Sequence, residues 1–229
     1  MTPALAVTAA DRPLFRIGRR PDAWAWPPWS YASPDGTFGN RFDDPQCEYR
    51  VLYASSERLG PFLETLARFR RDIAIDAEYA LIEPDERDDA FPTIEAGLIP
   101  PDWRKKRSIG TASHSGRFVD IGHSESLAHL RSALAARLLH YGLDDLDAGE
   151  IRRAPRPFTQ EISRYVFETS YDERGVTLDG IRYLSRLGDE IANWAIFEGT
   201  DPEQRTNAEI EPDDPDLVAA MEKFNLAFA

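Results

Sequence analysis

The chain has 229 residues, 42% hydrophobic and 11% aromatic, enough for a packed core and too apolar for a disordered chain. A net charge of −13 argues against nucleic acid as a main partner, since binding it takes a basic face that displaces counterions. The single cysteine, Cys47, excludes an intrachain disulfide, and no apolar run nears the roughly 20 residues that a membrane-spanning helix needs.

Residues 1–13 read as a flexible tail, and Leu14–Ile17 as a short strand. Between Pro21 and Pro34 the residues Trp24, Trp26, Trp29 and Tyr31 lie among prolines, which bar regular structure. This predicts an aromatic loop, either pinned to the core by its rings or walling a ligand pocket. In the turn-like Gly39-Asn40-Arg41-Phe42-Asp43-Asp44-Pro45, Arg41 either pairs with its acidic neighbours or faces a ligand. Residues 48–54, with Val51-Leu52-Tyr53, predict a strand. Residues 58–73 predict a helix whose apolar stripe is Leu59, Phe62, Leu63, Leu66, Phe69 and Ile73. Glu64 lies off that stripe, and spacing alone favours a solvated pair with Arg68.

Residues 78–82 and 117–121 predict strands, 84–89 an acidic loop, and the basic run 104–107 a solvated surface. Leu127–His140 predicts a helix, capped by Ser124 or Ser126 and closed by Gly142. Another helix is expected from Thr159, as its N-cap, to about Tyr171. Residues 180–185 and 193–197 read as the last two strands. Alternation puts Tyr183 and Ser185 on one face of the former, where Ser185 by itself reads as a strand-end hydroxyl. Past Gly199 the chain turns acidic and proline-punctuated, with a terminal helix at Leu217–Phe224.

None of His114, His123, His129 and His140 has metal-ligand spacing with a second ligand, so no metal is expected. No phosphate-cradling glycine loop occurs, so any bound dinucleotide is not held by a Rossmann turn. A G-x-S-x-G elbow is also missing. Cys47, beside Glu48 and close to Asp43 and Asp44, makes a poor nucleophile. The N-terminus lacks a basic region followed by an apolar stretch, so a cytoplasmic protein is expected.

Three segments carry a family resemblance. They are Leu14-Phe15-Arg16-Ile17, the stretch from Gly39 to Leu66, and the stretch from Asp179 to Phe197 with Asp-Gly-Ile-Arg-Tyr-Leu-Ser-Arg and Asn-Trp-Ala-Ile-Phe. In this order they resemble the RES domain family, named for its Arg, Glu and Ser. The resemblance implies an α+β fold, a compact mixed β-sheet core with flanking helices similar to the diphtheria-toxin-like ADP-ribosyltransferases. On that reading residues 14–199 form the RES-like domain, with an elaborated middle segment at about 74–158 and an acidic C-terminal extension at 200–229. It implies an NAD-degrading enzyme that cleaves the nicotinamide–ribose bond and passes ADP-ribose to inorganic phosphate, as an NAD phosphorylase, to water, or to a protein. Many members are toxins of toxin–antitoxin pairs, so an antitoxin is the protein partner implied; self-assembly into a homo-oligomer stays open.

Carried onto this sequence, the resemblance makes Arg41, Glu64 and Ser185 the catalytic candidates, and Arg16 and Tyr53 contacts to NAD. Tyr183 joins the NAD contacts by sharing a strand face with Ser185. The arginines would grip phosphate, Tyr53 would pack on nicotinamide or ribose, Glu64 would steady positive charge on the ribose, and Ser185 would bond the ribose or the amide. The sequence departs from the family pattern in reading Gly-Asn-Arg-Phe where the family has Gly-Arg-Phe, and in the long stretch between Glu64 and Ser185. A non-enzymatic module that binds a nucleotide or a partner protein is the alternative.

Overall fold

The computed structural model describes residues 4–79, 81, 97–169 and 177–229. Its strands are β1 (Val7–Ala9), β2 (Leu14–Arg19), β3 (Val51–Ser55), β4 (Leu98–Ile99) and β5 (Arg107–Ser113), followed by β6 (Arg117–Asp120), β7 (Gly180–Leu184), β8 (Ala192–Phe197), β9 (Glu203–Glu209) and β10 (Ala227–Phe228). The helices are α1 (Leu59–Leu66), α2 (Ile73–Tyr79), α3 (Ser124–Ala133), α4 (Ala135–His140), α5 (Ala148–Arg153), α6 (Arg156–Thr169) and α7 (Pro215–Phe224). Among the described residues, eight strands share one sheet in the order β1-β6-β7-β8-β3-β2-β5-β9, and β4 pairs with β10 in a small second sheet. Within the large sheet β6 and β7 run parallel while the other neighbours are antiparallel, which makes this a mixed α+β fold.

Strand alternation sends side chains to both faces of this sheet. On one face Val51, Val119, Ile181, Ala195 and Phe197 meet Phe158, Ile162 and Val166 of α6. On the other, Leu52, Ala54, Trp194 and Ile196 meet the fully buried Trp24. The aromatic loop is therefore pinned by the Trp24 ring, with Trp26 packed partly against the same cluster, while Trp29 and Tyr31 are exposed. Gly110 on β5 is the point of closest approach, since a Cβ there would lie 2.3 Å from the Trp24 indole nitrogen. A third cluster joins α1 to α7: Phe62, Leu63 and Leu66 pack with Leu217, Ala220, Ile17 and Ile109.

Both chain ends take part in the fold, contrary to expectation. The stretch read as a flexible tail supplies β1, paired with β6, and the Ala6 amide donates to Ser126 Oγ at 2.9 Å. The stretch read as an acidic extension supplies β9, paired with β5, while the terminal helix expected at Leu217–Phe224 forms as α7. Asp214 caps α7 and is gripped by Arg58, with Nη2 2.7 Å from Oδ2. The basic run read as solvated surface leads into β5, and Arg104 donates to the Ile210 carbonyl at 2.7 Å.

The helix expected over 58–73 ends at Leu66, passes through a 3-10 turn at Ala67–Phe69, and leaves Ile73 exposed at the start of α2. Glu78 and Tyr79, read as strand, belong to α2; the rest of that segment apart from Leu81, and the acidic loop 84–89, lie outside the described residues. The helix expected over 127–140 breaks at Leu134 into α3 and α4, and α3 is capped by the His123 ring nitrogen rather than by a serine. Helix α6 starts ahead of Thr159, whose hydroxyl bonds the Arg156 carbonyl, while Tyr171 lies outside the described residues. No helix among the described residues is long and apolar enough to cross a membrane.

Candidate active site

Strands β2 and β3 share one rung, Phe15 opposite Ser55. Beside it the Arg16 guanidinium takes over from the ladder, donating from Nη1 to the Tyr53 carbonyl at 2.8 Å and from Nε to the Ala23 carbonyl at 2.7 Å. Burial lowers its pKa to about 10. A cleft of about 780 Å³ lies against this junction, within the size range of small-molecule sites. Arg16 and Ile17 line it from β2, Tyr53 to Ser55 from β3, Glu64 from α1, and Tyr183 and Asn193 from β7 and β8.

Glu64 reaches the cleft because α1 turns Phe62, Leu63 and Leu66 into the core and leaves Glu64 on its open side. Its Oε1 accepts from Ser185 Oγ and from Asn193 Nδ2, each at 2.7 Å. Ser185 Oγ in turn accepts from the Leu187 amide at 2.9 Å. The Ser55 hydroxyl donates to Asn193 Oδ1, which orients the amide with its nitrogen toward Glu64. Ser55, Ser185 and Asn193 are all buried, so this network is walled from water on its inner side. Two donors thus hold one carboxylate oxygen, and the other has no partner among the described residues. The Glu64–Arg68 pair suggested by spacing does not form.

Arg41 is held at the C-terminal end of α5, where backbone carbonyls gather partial negative charge. Its Nη1 donates to the Arg152 carbonyl at 3.0 Å and its Nη2 to the Ile151 carbonyl. Burial and the neighbouring Arg186 charge lower its pKa, and Glu64 and two tyrosines oppose them. The loop pairing considered for Arg41 is excluded, because its acidic neighbours are otherwise engaged. Asp43 accepts from the Asn40 amide at 2.6 Å and from the Tyr53 hydroxyl at 2.8 Å, and Asp44 accepts from the Gln46 and Glu48 amides.

The two tyrosines differ. The Tyr53 hydroxyl is saturated, donating to Asp43 and accepting from the Phe42 amide at 3.0 Å, so it fixes the Arg41 loop and offers only its ring to the cleft. Burial holds its pKa well above the ordinary value, and raises that of Asp43 as well. Tyr183 packs its ring 4.7 Å from that of Phe42, and its hydroxyl has no hydrogen-bond partner among the described residues. Burial and the nearby Glu64 charge raise its pKa.

All six candidate residues converge: Arg16, Arg41, Tyr53, Glu64 and Tyr183 line the cleft, and Ser185 stands behind Glu64. Sequence reasoning missed Asn193 and Ser55. The signal for Asn193 is a polar residue opening an otherwise apolar strand. Four more arginines, Arg68, Arg70, Arg156 and Arg186, also line the cleft. Six arginines therefore face one carboxylate in a chain of net charge −13. None of the aromatic-loop rings lines the cleft. Among the described residues no group of His, Cys, Asp and Glu could hold a metal ion.

No curated protein matches the sequence. Among solved structures, a chain in the crystal structure of the M. tuberculosis MbcT-MbcA toxin-antitoxin complex is similar at a TM-score of 0.48 with 10% identity, over 95% of this chain and 91% of that one. The family model of the RES domain matches residues 13–219, a span that includes Arg16, Arg41, Tyr53, Glu64, Tyr183 and Ser185. By that match the chain belongs to the RES domain family.

Proposed function

We propose that this cleft binds NAD and cleaves its nicotinamide–ribose bond. The observation that carries the reading is the Glu64 carboxylate, fixed through one oxygen by Ser185 and Asn193 and open through the other to an arginine-lined cleft. Family membership supports it, and a likeness to the ADP-ribosyltransferase fold belongs to the same reading. Arg41 and Arg16 bind the pyrophosphate, and the Tyr53 and Tyr183 rings flank the nicotinamide ribose.

In the reaction the bond from ribose C1′ to the pyridinium nitrogen breaks, both electrons leave on nitrogen, and nicotinamide departs neutral. Positive charge grows on the ribose, facing the open oxygen of Glu64. A preoriented carboxylate costs no reorganisation as that charge develops, the most effective form of electrostatic catalysis. An oxygen of inorganic phosphate then bonds to C1′, giving ADP-ribose 1″-phosphate; water in its place gives ADP-ribose and a released proton. An antitoxin partner that covers the cleft fits this reading.

The test is to incubate purified protein with NAD, with and without phosphate, and to follow nicotinamide. Release that phosphate accelerates supports the phosphorylase, and release indifferent to phosphate supports hydrolysis. Radiolabel from the adenylate half of NAD appearing on a cell protein marks protein ADP-ribosylation. Binding of NAD with no nicotinamide released overturns the enzymatic reading and leaves a nucleotide-binding module.

A further inference from the structure

The six arginines of the cleft outnumber what NAD requires, and two of them, Arg68 and Arg70, sit together on one turn of the chain. NAD presents one pyrophosphate. Arg41 and Arg186 stand close enough to repel one another and flank Glu64, and Arg16 is anchored at the foot of the cleft. These suffice for a pyrophosphate. Arg68 and Arg70 lie apart, on the 3-10 turn that leaves α1 and its continuation. Both are exposed, and neither has a carboxylate partner among the described residues. Each lies near an aromatic ring: the Arg70 guanidinium sits 5.0 Å from the Phe224 ring centroid and that of Arg68 5.6 Å from Phe69. A ring beside the planar group leaves its N–H fork free, an arrangement suited to phosphate.

Resting on the reading of the cleft as a dinucleotide site, we infer that the Arg68–Arg70 rim holds a further phosphate of the same ligand, the 2′-phosphate on the adenosine ribose of an NADP-type dinucleotide. A free phosphate acting as acceptor must reach ribose C1′ beside Glu64, and the cations there are Arg41 and Arg186. The rim cations therefore serve the far end of the substrate and give the enzyme a preference for the 2′-phosphorylated form.

The experiment compares kcat/KM for nicotinamide release from NADP and from NAD, in the full chain and in the variant Arg68→Ala/Arg70→Ala. A charge-assisted hydrogen bond to phosphate is worth about tenfold. The unaltered chain is expected to prefer NADP by about tenfold or more, and the variant to lose most of that ratio. An unchanged ratio overturns the inference, as does a variant whose only defect is a raised KM for inorganic phosphate. Calorimetry with 2′,5′-ADP and 5′-ADP gives a reading independent of turnover. If neither dinucleotide is cleaved the proposed reaction fails, while the rim is still upheld by tighter binding of 2′,5′-ADP that the variant loses, and refuted by equal binding of the two.

Discussion

The Asn193 side-chain amide donates to Glu64 Oε1 at 2.7 Å, joining residues 129 positions apart. Behind it the Ser55 hydroxyl fixes the amide's orientation, so three elements of the fold, β3, α1 and β8, combine to aim one carboxylate.

Glu64→Gln keeps an oxygen able to accept from Ser185 and Asn193 but removes the negative charge. Nicotinamide release is expected to fall by about two to three orders of magnitude, the usual effect of removing one preorganised electrostatic group. Thermal unfolding should shift little, because Glu64 is exposed on the cleft side of α1.

Asn193→Ala removes a donor from Glu64 and leaves the buried Ser55 hydroxyl without its acceptor. A buried polar group left unpaired costs about 1–3 kcal/mol, so denaturant unfolding should show that loss together with a reduced kcat. Asn193→Asp keeps an acceptor for Ser55 but sets a second carboxylate against Glu64 in a buried position, and should lower both stability and turnover.

The two tyrosines separate structure from binding. Tyr53→Phe removes the hydroxyl that joins Asp43 to the Phe42 amide and should cost about 1–2 kcal/mol, with weaker binding as the Arg41 loop loosens. Tyr183→Phe breaks no hydrogen bond among the described residues. It should leave the melting temperature unchanged and alter only the substrate kinetics.

Asp214 couples α7 to α1. Burial alone would raise its pKa, yet the bonds from Arg58 and the α7 amides hold it below the ordinary carboxylate value. A depressed folded pKa means that the stabilisation is fully present above the unfolded value of about 3.9 and is lost as pH falls through the folded value. Asp214→Ala removes the cap and strands Arg58, at a cost of about 1–3 kcal/mol near neutral pH. The difference from the unaltered chain should shrink below about pH 4, as measured by unfolding across a pH series.

Part of this was legible in the sequence. The strands at 180–185 and 193–197 and the apolar side of α1 follow from alternation and helical spacing, because burial on one face dictates both. The site was legible only as an ordered set: spacing alone made Glu64 a surface residue paired with Arg68, and it is Ser185, just past β7, and Asn193 of β8 that give it a role. Strand β9 was invisible because all its residues are exposed on the sheet edge, leaving no apolar alternation to read. The break at Leu134 was hidden for the opposite reason, since the apolar spacing of α3 and α4 runs on through it. The N-terminal strand β1 is too short to show a pattern, and its place is set by pairing with β6.

The order of synthesis gives the carboxylate network a temporal meaning. A nascent polypeptide that has emerged only as far as α6 already contains Glu64 and Arg41, but neither Ser185 nor Asn193. Its carboxylate is then an ordinary solvated side chain with nothing to aim it. Any chemistry of the cleft switches on late in translation, and fragments that end before Asn193 are born inert.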